Sequence, residues 1–232
     1  MKLFYRIIIA LYITFFPCLQ VIRAQEQAFS SSTHYAKRME TFLKEGKLPT
    51  GKVIMFGDSH MEYGGDWNRF FHTDHLIINR GIVGDDAIGM YHRLSMIIKA
   101  KPRAVFFSCG TNDLSHNLPI DKVFCNIVKT IERLHKVSPH TQIFVCSLFP
   151  LCPSKGVWKL LSGKEKMIKE LNKKLEQYCF QHRYTFIDLY KKLLLSINSE
   201  YMNPIFSIDG LHLSKEGYNV WVDEIKKYIV TK

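Results

Sequence analysis

From residue 52 onward the chain alternates short, continuous apolar runs with longer stretches whose apolar residues recur every three or four positions. The short runs cover residues 52–56, 76–79, 104–109, 142–148 and 185–189. Apolar runs of this length, without polar alternation, suit strands covered on both faces. The longer stretches read as helices. Residues 86–99 bring Ile88, Tyr91, Leu94 and either Ile97 or Ile98 to one side. Residues 121–135 do so with Val123, Ile127, Ile131 and Leu134, and Pro119 marks the start. Residues 164–182 carry Met167, Ile168, Leu171, Leu175 and Tyr178 in the same way. A last helix begins after Ser214, a good N-cap residue, and turns Tyr218, Trp221, Val222, Ile225 and Ile229 inward. Residues 25–50 are polar and mixed, a lead-in with a helix through 35–43. There is no internal repeat or low-complexity tract.

Strands alternating with helices over this length imply an α/β fold, an open parallel sheet between helical layers. In such sheets the functional crevice lies at the carboxyl ends of the strands. Residues proposed for chemistry should therefore follow strands directly.

The first two dozen residues break the pattern. Lys2 and Arg6 give a basic start, residues 7–19 form an apolar run interrupted by Pro17, and Ala24 precedes the polar Gln25, Glu26 and Gln27. This order predicts a secretory signal peptide over residues 1–24, followed by the lead-in at 25–50 and one catalytic-sized domain at 51–232. A membrane anchor is the competing reading, but the run is shorter than the ~20 residues a spanning helix needs. Cys18 raises a lipid-modified cysteine, for which Pro17 is a poor preceding residue. The expected location is outside the cytoplasm, periplasmic or extracellular, with no stable membrane insertion after cleavage.

Composition narrows the picture a little. With 47% of its residues hydrophobic, the chain has enough to bury a full core. The leader holds three basic and no acidic residues, so the remainder has 29 basic and 21 acidic side chains, a net charge of +8. That favours acidic surfaces nonspecifically. Aromatic-basic interleaving and zinc spacing are absent, which argues against a nucleic-acid partner. The lysines between 159 and 174 read as a solvated helix face. Five cysteines follow the leader, at 109, 125, 146, 152 and 179, and five cannot all pair internally. Buried thiols fit better than a disulfide framework, although an exported chain permits one bridge that the sequence does not name.

Four short segments meet the strand-end requirement. The first strand runs into Gly57-Asp58-Ser59, the second into residues 79–85, and the third into Gly110-Thr111-Asn112-Asp113. Beyond the fifth comes Asp209-Gly210-Leu211-His212. A serine hydroxyl is a poor nucleophile until a base takes its proton, and His suits that task at neutral pH. An Asp three residues before the His can fold back to hold its tautomer. A tetrahedral intermediate then needs donors for its oxyanion, which glycine-turn N–H groups and an Asn amide can supply. Ser59, Gly84, Asn112, Asp209 and His212 fill these roles.

These segments resemble the blocks of the SGNH hydrolase superfamily, the GDSL-like lipases or acylhydrolases. The stretch from Gly57 through Leu94 is similar to the branch resembling platelet-activating-factor acetylhydrolase. The segment 209–218 is the most specific match, and the resemblance covers residues 52–230. It implies a flavodoxin-like three-layer α/β/α sandwich with about five parallel strands and ester hydrolysis without a metal or cofactor. By position it makes Ser59 the nucleophile and an oxyanion donor through its N–H. Gly84 and Asn112 become the other donors, His212 the base and Asp209 its orienter. The G-x-S-x-G elbow of α/β-hydrolases is absent. His60 stands where the family usually has Leu or Ile, and Val83-Gly84-Asp85-Asp86 replaces Ser-Gly-Asp-Thr. His60 and Asp85 are therefore expected at the substrate.

Other chemistry-bearing residues have plainer readings. Asp58 and Asp113 brace loops by accepting backbone N–H groups, Asp85 and Asp86 start a helix, and Gly81 serves backbone conformation. His72 with His75, and His135 with His140, lack the i, i+4 spacing of a zinc helix. Trp67 and Trp158 divide evenly between core and substrate surface. The expected function is an exported esterase removing a short acyl group, such as acetyl, from a sugar or lipid. An acyltransferase on the same scaffold and a noncatalytic glycan- or lipid-binding module are the alternatives. Oligomeric state is not readable.

Overall fold

The computed structural model describes residues 32–156 and 158–229. The expected leader, residues 1–24, and the first part of the lead-in lie outside them. Five strands form one sheet: β1 (Val53–Gly57), β2 (Ile77–Gly81), β3 (Ala104–Ser108), β4 (Gln142–Cys146) and β5 (Thr185–Ile187). Their order is β2-β1-β3-β4-β5, and every neighbouring pair is parallel. The helices in the first half are α1 (Thr33–Lys44), α2 (Ser59–Tyr63), α3 (Asn68–Phe71), α4 (Ala87–Lys99) and α5 (Thr111–Ser115). The second half adds α6 (Ile120–Val137), α7 (Glu165–His182), α8 (Leu189–Leu193) and α9 (Lys215–Ile229).

Successive strand residues point to opposite faces, and both faces here are apolar. Ile54, Phe56, Val105, Phe107, Ile143 and Val145 pack with Leu94 and Ile97 of α4, Ile127 of α6 and Leu171 of α7. Val53, Met55, Phe106, Phe144 and Cys146 pack instead with Trp221 and Ile225 of α9 and Leu189 of α8. The molecule is thus the expected flavodoxin-like three-layer sandwich. Among the described residues no helix is long and apolar enough to cross a membrane.

Two expectations are corrected and one open reading is decided. In α4 the buried face runs through Met90, Arg93, Leu94 and Ile97, while Ile88 and Tyr91 are only half-buried. An arginine has taken a core position, which turns the helix away from the face its apolar residues suggest. Lys164 is not part of a solvated lysine face, because its ammonium donates to the Leu114 carbonyl and to Asn117 Oδ1, closing the end of α5. Trp67 is core, fully buried with its indole N–H on the Met61 carbonyl. The five cysteines at 109, 125, 146, 152 and 179 are all free thiols.

Gly81 shows why β2 ends where it does. Its φ is not positive, so conformation is not the constraint that was expected of it. A Cβ there would stand 2.1 Å from the Glu62 nitrogen and 2.6 Å from the Met61 carbonyl carbon. Helix α2 passes directly over the strand end, and only a glycine lets it sit so close. Gly81→Ala is expected to lower stability by about 1–3 kcal/mol, as overpacking against backbone does. Chemical denaturation would measure this, and an unchanged midpoint would contradict the close approach.

Candidate active site

Strand β1 delivers its chain into Asp58, the N-cap of α2, whose carboxylate accepts the His60 N–H at 3.0 Å. Ser59 is therefore the first helical residue, and its own N–H is one that a helix leaves unpaired. The helix is held from β2. The Asn79 amide donates to the carbonyls of Met61 at 2.8 Å and Gly65 at 2.9 Å, and its oxygen accepts the Gly81 N–H at 2.8 Å. Glu62 accepts the Val83 N–H at 2.7 Å and pairs with Arg38 and His34 of α1. The lead-in helix is thereby tied to the turn that carries Gly84.

The loop 207–213 brings His212, the expected base, to Ser59, the expected nucleophile. Asp209 Oδ1 accepts the backbone N–H of Leu211 at 3.0 Å and of His212 at 2.7 Å. Its Oδ2 lies 2.7 Å from His212 Nδ1. A carboxylate only accepts, so Nδ1 carries the proton and Nε2 is left to accept from the Ser59 hydroxyl at 3.1 Å. Partial burial works to raise the Asp209 pKa, but the bonds from His212 and Leu211 outweigh it and hold the carboxyl below its ordinary value. Gly210 lets this loop lie against its neighbour: a Cβ would come within 3.0 Å of both the Gly156 and Cys152 carbonyl oxygens.

The expected oxyanion donors follow three adjacent strand ends. Gly57, Gly81 and Ser108 stand level across β1, β2 and β3, and Ser59, Gly84 and Asn112 come next along the chain. Gly84 is exposed with φ +79°, and its missing side chain leaves open space. The Asn112 amide donates one N–H to the Asp85 carbonyl at 2.8 Å, which fixes it beside the Gly84 peptide and leaves the second N–H. Asp113 braces as expected, accepting the Ala87 N–H at 3.1 Å. Burial and the nearby Asp86 push its carboxyl well up. Asp86 caps α4 through the N–H groups of Ile88 and Gly89.

Two expected substrate contacts are corrected. Asp85 is neither helix cap nor substrate group. It is fully buried and bound at 2.6 Å by Arg93, itself inaccessible. Burial pushes the Asp85 carboxyl up while Arg93 pulls it back. Arg93 also donates to the carbonyls of Arg80 at 2.6 Å and Gly57 at 2.9 Å, and lies over the Phe56 ring. His60 is 3% exposed, with both ring nitrogens engaged inside the protein, so it does not line an acyl pocket. The exposed groups beside the base are Tyr63 and Trp158, with ring centroids 5.0 Å and 6.4 Å from that of His212. Trp158 thus takes the surface side of its two readings. Tyr63 was not foreseen, although its position four residues after Ser59 puts it one helical turn on. Among the described residues no three His, Cys, Asp or Glu side chains gather as metal ligands.

A serine hydroxyl, an imidazole and a carboxylate thus stand in one hydrogen-bonded line at the strand ends of a five-stranded parallel sheet. The model of the GDSL-like lipase/acylhydrolase family matches residues 55–220, and the chain belongs to that family. A GDSL-like lipase from Bacteroides thetaiotaomicron is 26% identical, with a TM-score of 0.72 over 83% of this chain and 96% of that one. Similar in fold are the lipase/acylhydrolase from Enterococcus faecalis (22% identity, TM-score 0.63, 79% and 99% covered) and an acetyl xylan esterase (21%, 0.64, 77% and 100%). N-acylneuraminate cytidylyltransferases of Streptococcus agalactiae are 24% identical over 146 residues, 59% of this chain. The chain spans 32% of the length of those curated relatives.

The Arg93–Asp85 pair offers a direct check on what supports the site. Asp85→Asn leaves a guanidinium buried without its counter-charge and is expected to lower stability by about 3–5 kcal/mol. Adding Arg93→Met should recover part of that loss. Urea unfolding of the single and double variants measures both, and additive losses would deny the coupling.

Proposed function

We propose that the chain is an exported serine esterase that removes a short acyl group, acetyl first among them, from a carbohydrate ester. The observation that carries this reading is the unbroken line from Ser59 Oγ through His212 to Asp209. In the proposed reaction His212 Nε2 takes the Ser59 proton as Oγ bonds to the ester carbonyl carbon. The N–H groups of Ser59 and Gly84 and the free N–H of Asn112 bind the oxyanion. Asp209 stabilises the imidazolium that forms. The C–O bond to the alcohol then breaks, and His212 returns the proton to the leaving oxygen. Water, deprotonated by the same ring, releases the acid and restores Ser59.

A short acyl group is supported by the close spacing of the site segments, without an inserted region to wrap a long chain. A sugar rather than a lipid alcohol is supported by the exposed rings of Tyr63 and Trp158, which offer flat faces beside the base. The names of the acetyl xylan esterase and N-acylneuraminate enzymes among the similar proteins agree with that substrate class. Export is supported by the basic, apolar and small-residue order of residues 1–24. The partner in this reading is a small ester substrate, with neither nucleic acid nor an inserted membrane span involved.

Ser59→Ala is expected to lower turnover of p-nitrophenyl acetate by about 1,000-fold or more, and His212→Ala comparably. A fluorophosphonate should label Ser59 and nothing else in the folded chain. Unchanged turnover in Ser59→Ala would overturn the mechanism. A screen of acetylated neutral and acidic sugars, with and without an acceptor sugar, would then fix the substrate and separate hydrolysis from acyl transfer.

A further inference from the structure

His60 follows the nucleophile in sequence, yet it is buried and turned away from any substrate. Its ring nitrogens each face an acceptor. Nδ1 lies 3.2 Å from Asp58 Oδ1, and Nε2 lies 3.1 Å from the Leu211 carbonyl oxygen. A neutral imidazole has one N–H and one lone pair. In either neutral tautomer a ring lone pair would face an oxygen lone pair, acceptor against acceptor, in a buried site. Only the doubly protonated ring satisfies both contacts.

We infer that His60 is a positioning residue, an imidazolium that fastens the nucleophile's turn to the base's loop. The inference rests on the serine-esterase reading for what it positions, but not for its own protonation. Asp58 caps the helix whose first residue is Ser59, and Leu211 is the peptide immediately before His212. A single ring therefore spans the two segments that must hold Ser59 Oγ and His212 Nε2 in line. The Tyr218 hydroxyl donates to the His60 carbonyl at 2.7 Å, and the Phe149 ring packs edge-on at 4.6 Å, so the ring has little room to rotate.

The surrounding charges agree. Asp58, 1% exposed, is the counter-ion on the ring's own turn. Asp209 faces it from the base loop, Tyr218 from α9, and His212 with ring centroids 5.5 Å apart. Burial draws the His60 pKa down, but the bond to and charge of Asp58, the Leu211 carbonyl and Asp209 together leave it above its ordinary value of 6.5. Two carboxylates thus face two imidazoles. Protonating His212 during acylation places a second positive ring beside the first.

Nitrogen-15 NMR of the full chain, with His60→Gln used to assign the signals, tests the state directly. Both His60 nitrogens should be protonated near neutral pH, and a singly protonated ring there would overturn the proposal. In His60→Gln, kcat should fall about 100-fold, the scale of a misplaced catalytic group, with KM changed less than about two-fold. The acid limb of the kcat/KM profile should move up by ~1 pH unit as the like charge disappears. A limb that stays in place would also overturn it, since a merely structural tie would slow turnover at every pH alike. If His60→Gln fails to fold, its signals are assigned through their coupling to the His60 backbone, and the wild-type spectrum decides. Fluorophosphonate labelling of Ser59 is scored separately, so failure of the esterase reading is distinguishable from failure of this one.

Discussion

A guanidinium removed from water brings five N–H donors and a full charge that must all be answered, and Arg93 is answered by the floor of the site. Its partners are the carbonyl at the end of β1, a carbonyl near the end of β2, and the Asp85 carboxylate in the turn after β2. The Phe56 ring covers its face. Each partner belongs to a segment that also carries a site residue: Gly57 leads to Ser59, and Asp85 follows Gly84. Breaking a buried pair of this kind is far more damaging than never having built it. The geometry above the sheet therefore depends on one side chain below it that touches no substrate.

The rest of the site is laid out by backbone packing. Glycines level the ends of β1 and β2, letting α2 cross over β2. The Asn112 amide spends one hydrogen on the Asp85 carbonyl, so the positions of Asn112 and the Gly84 turn are linked. Glu62 connects the same turn to α1 through Arg38 and His34. The lead-in helix is therefore an outer brace of the site, joined to it by charged groups at the surface.

Strands and the Asp209–His212 contact were legible in the sequence because their signals are local. A continuous apolar run identifies a buried strand, and an Asp three residues before a His can reach it whatever the rest of the chain does. Strand ends differed from the pattern by one or two residues, since pairing rather than hydropathy sets them. Helices α2 and α5 are one turn long, too short to show a period. The misread residues are buried polar ones. Arg93 looks like the polar face of an amphipathic helix, and its partners on β1 lie 36 residues away. His60 looks like a variable pocket residue, because the Leu211 carbonyl that it meets is 151 residues distant. Polarity along a chain predicts exposure unless a partner folds onto it, and nothing in the local pattern announces that partner.

Ser59 and His212 are separated by 153 residues. During synthesis Ser59, Gly84 and Asn112 leave the ribosome well before His212. His212 arrives on the loop that leads into α9, and α9 enters the core through Trp221, which has no exposed surface. Seating that helix and closing the hydrogen-bonded line are thus linked through one short loop. The Ser59–His212 contact therefore reports whether α9 is seated in the core.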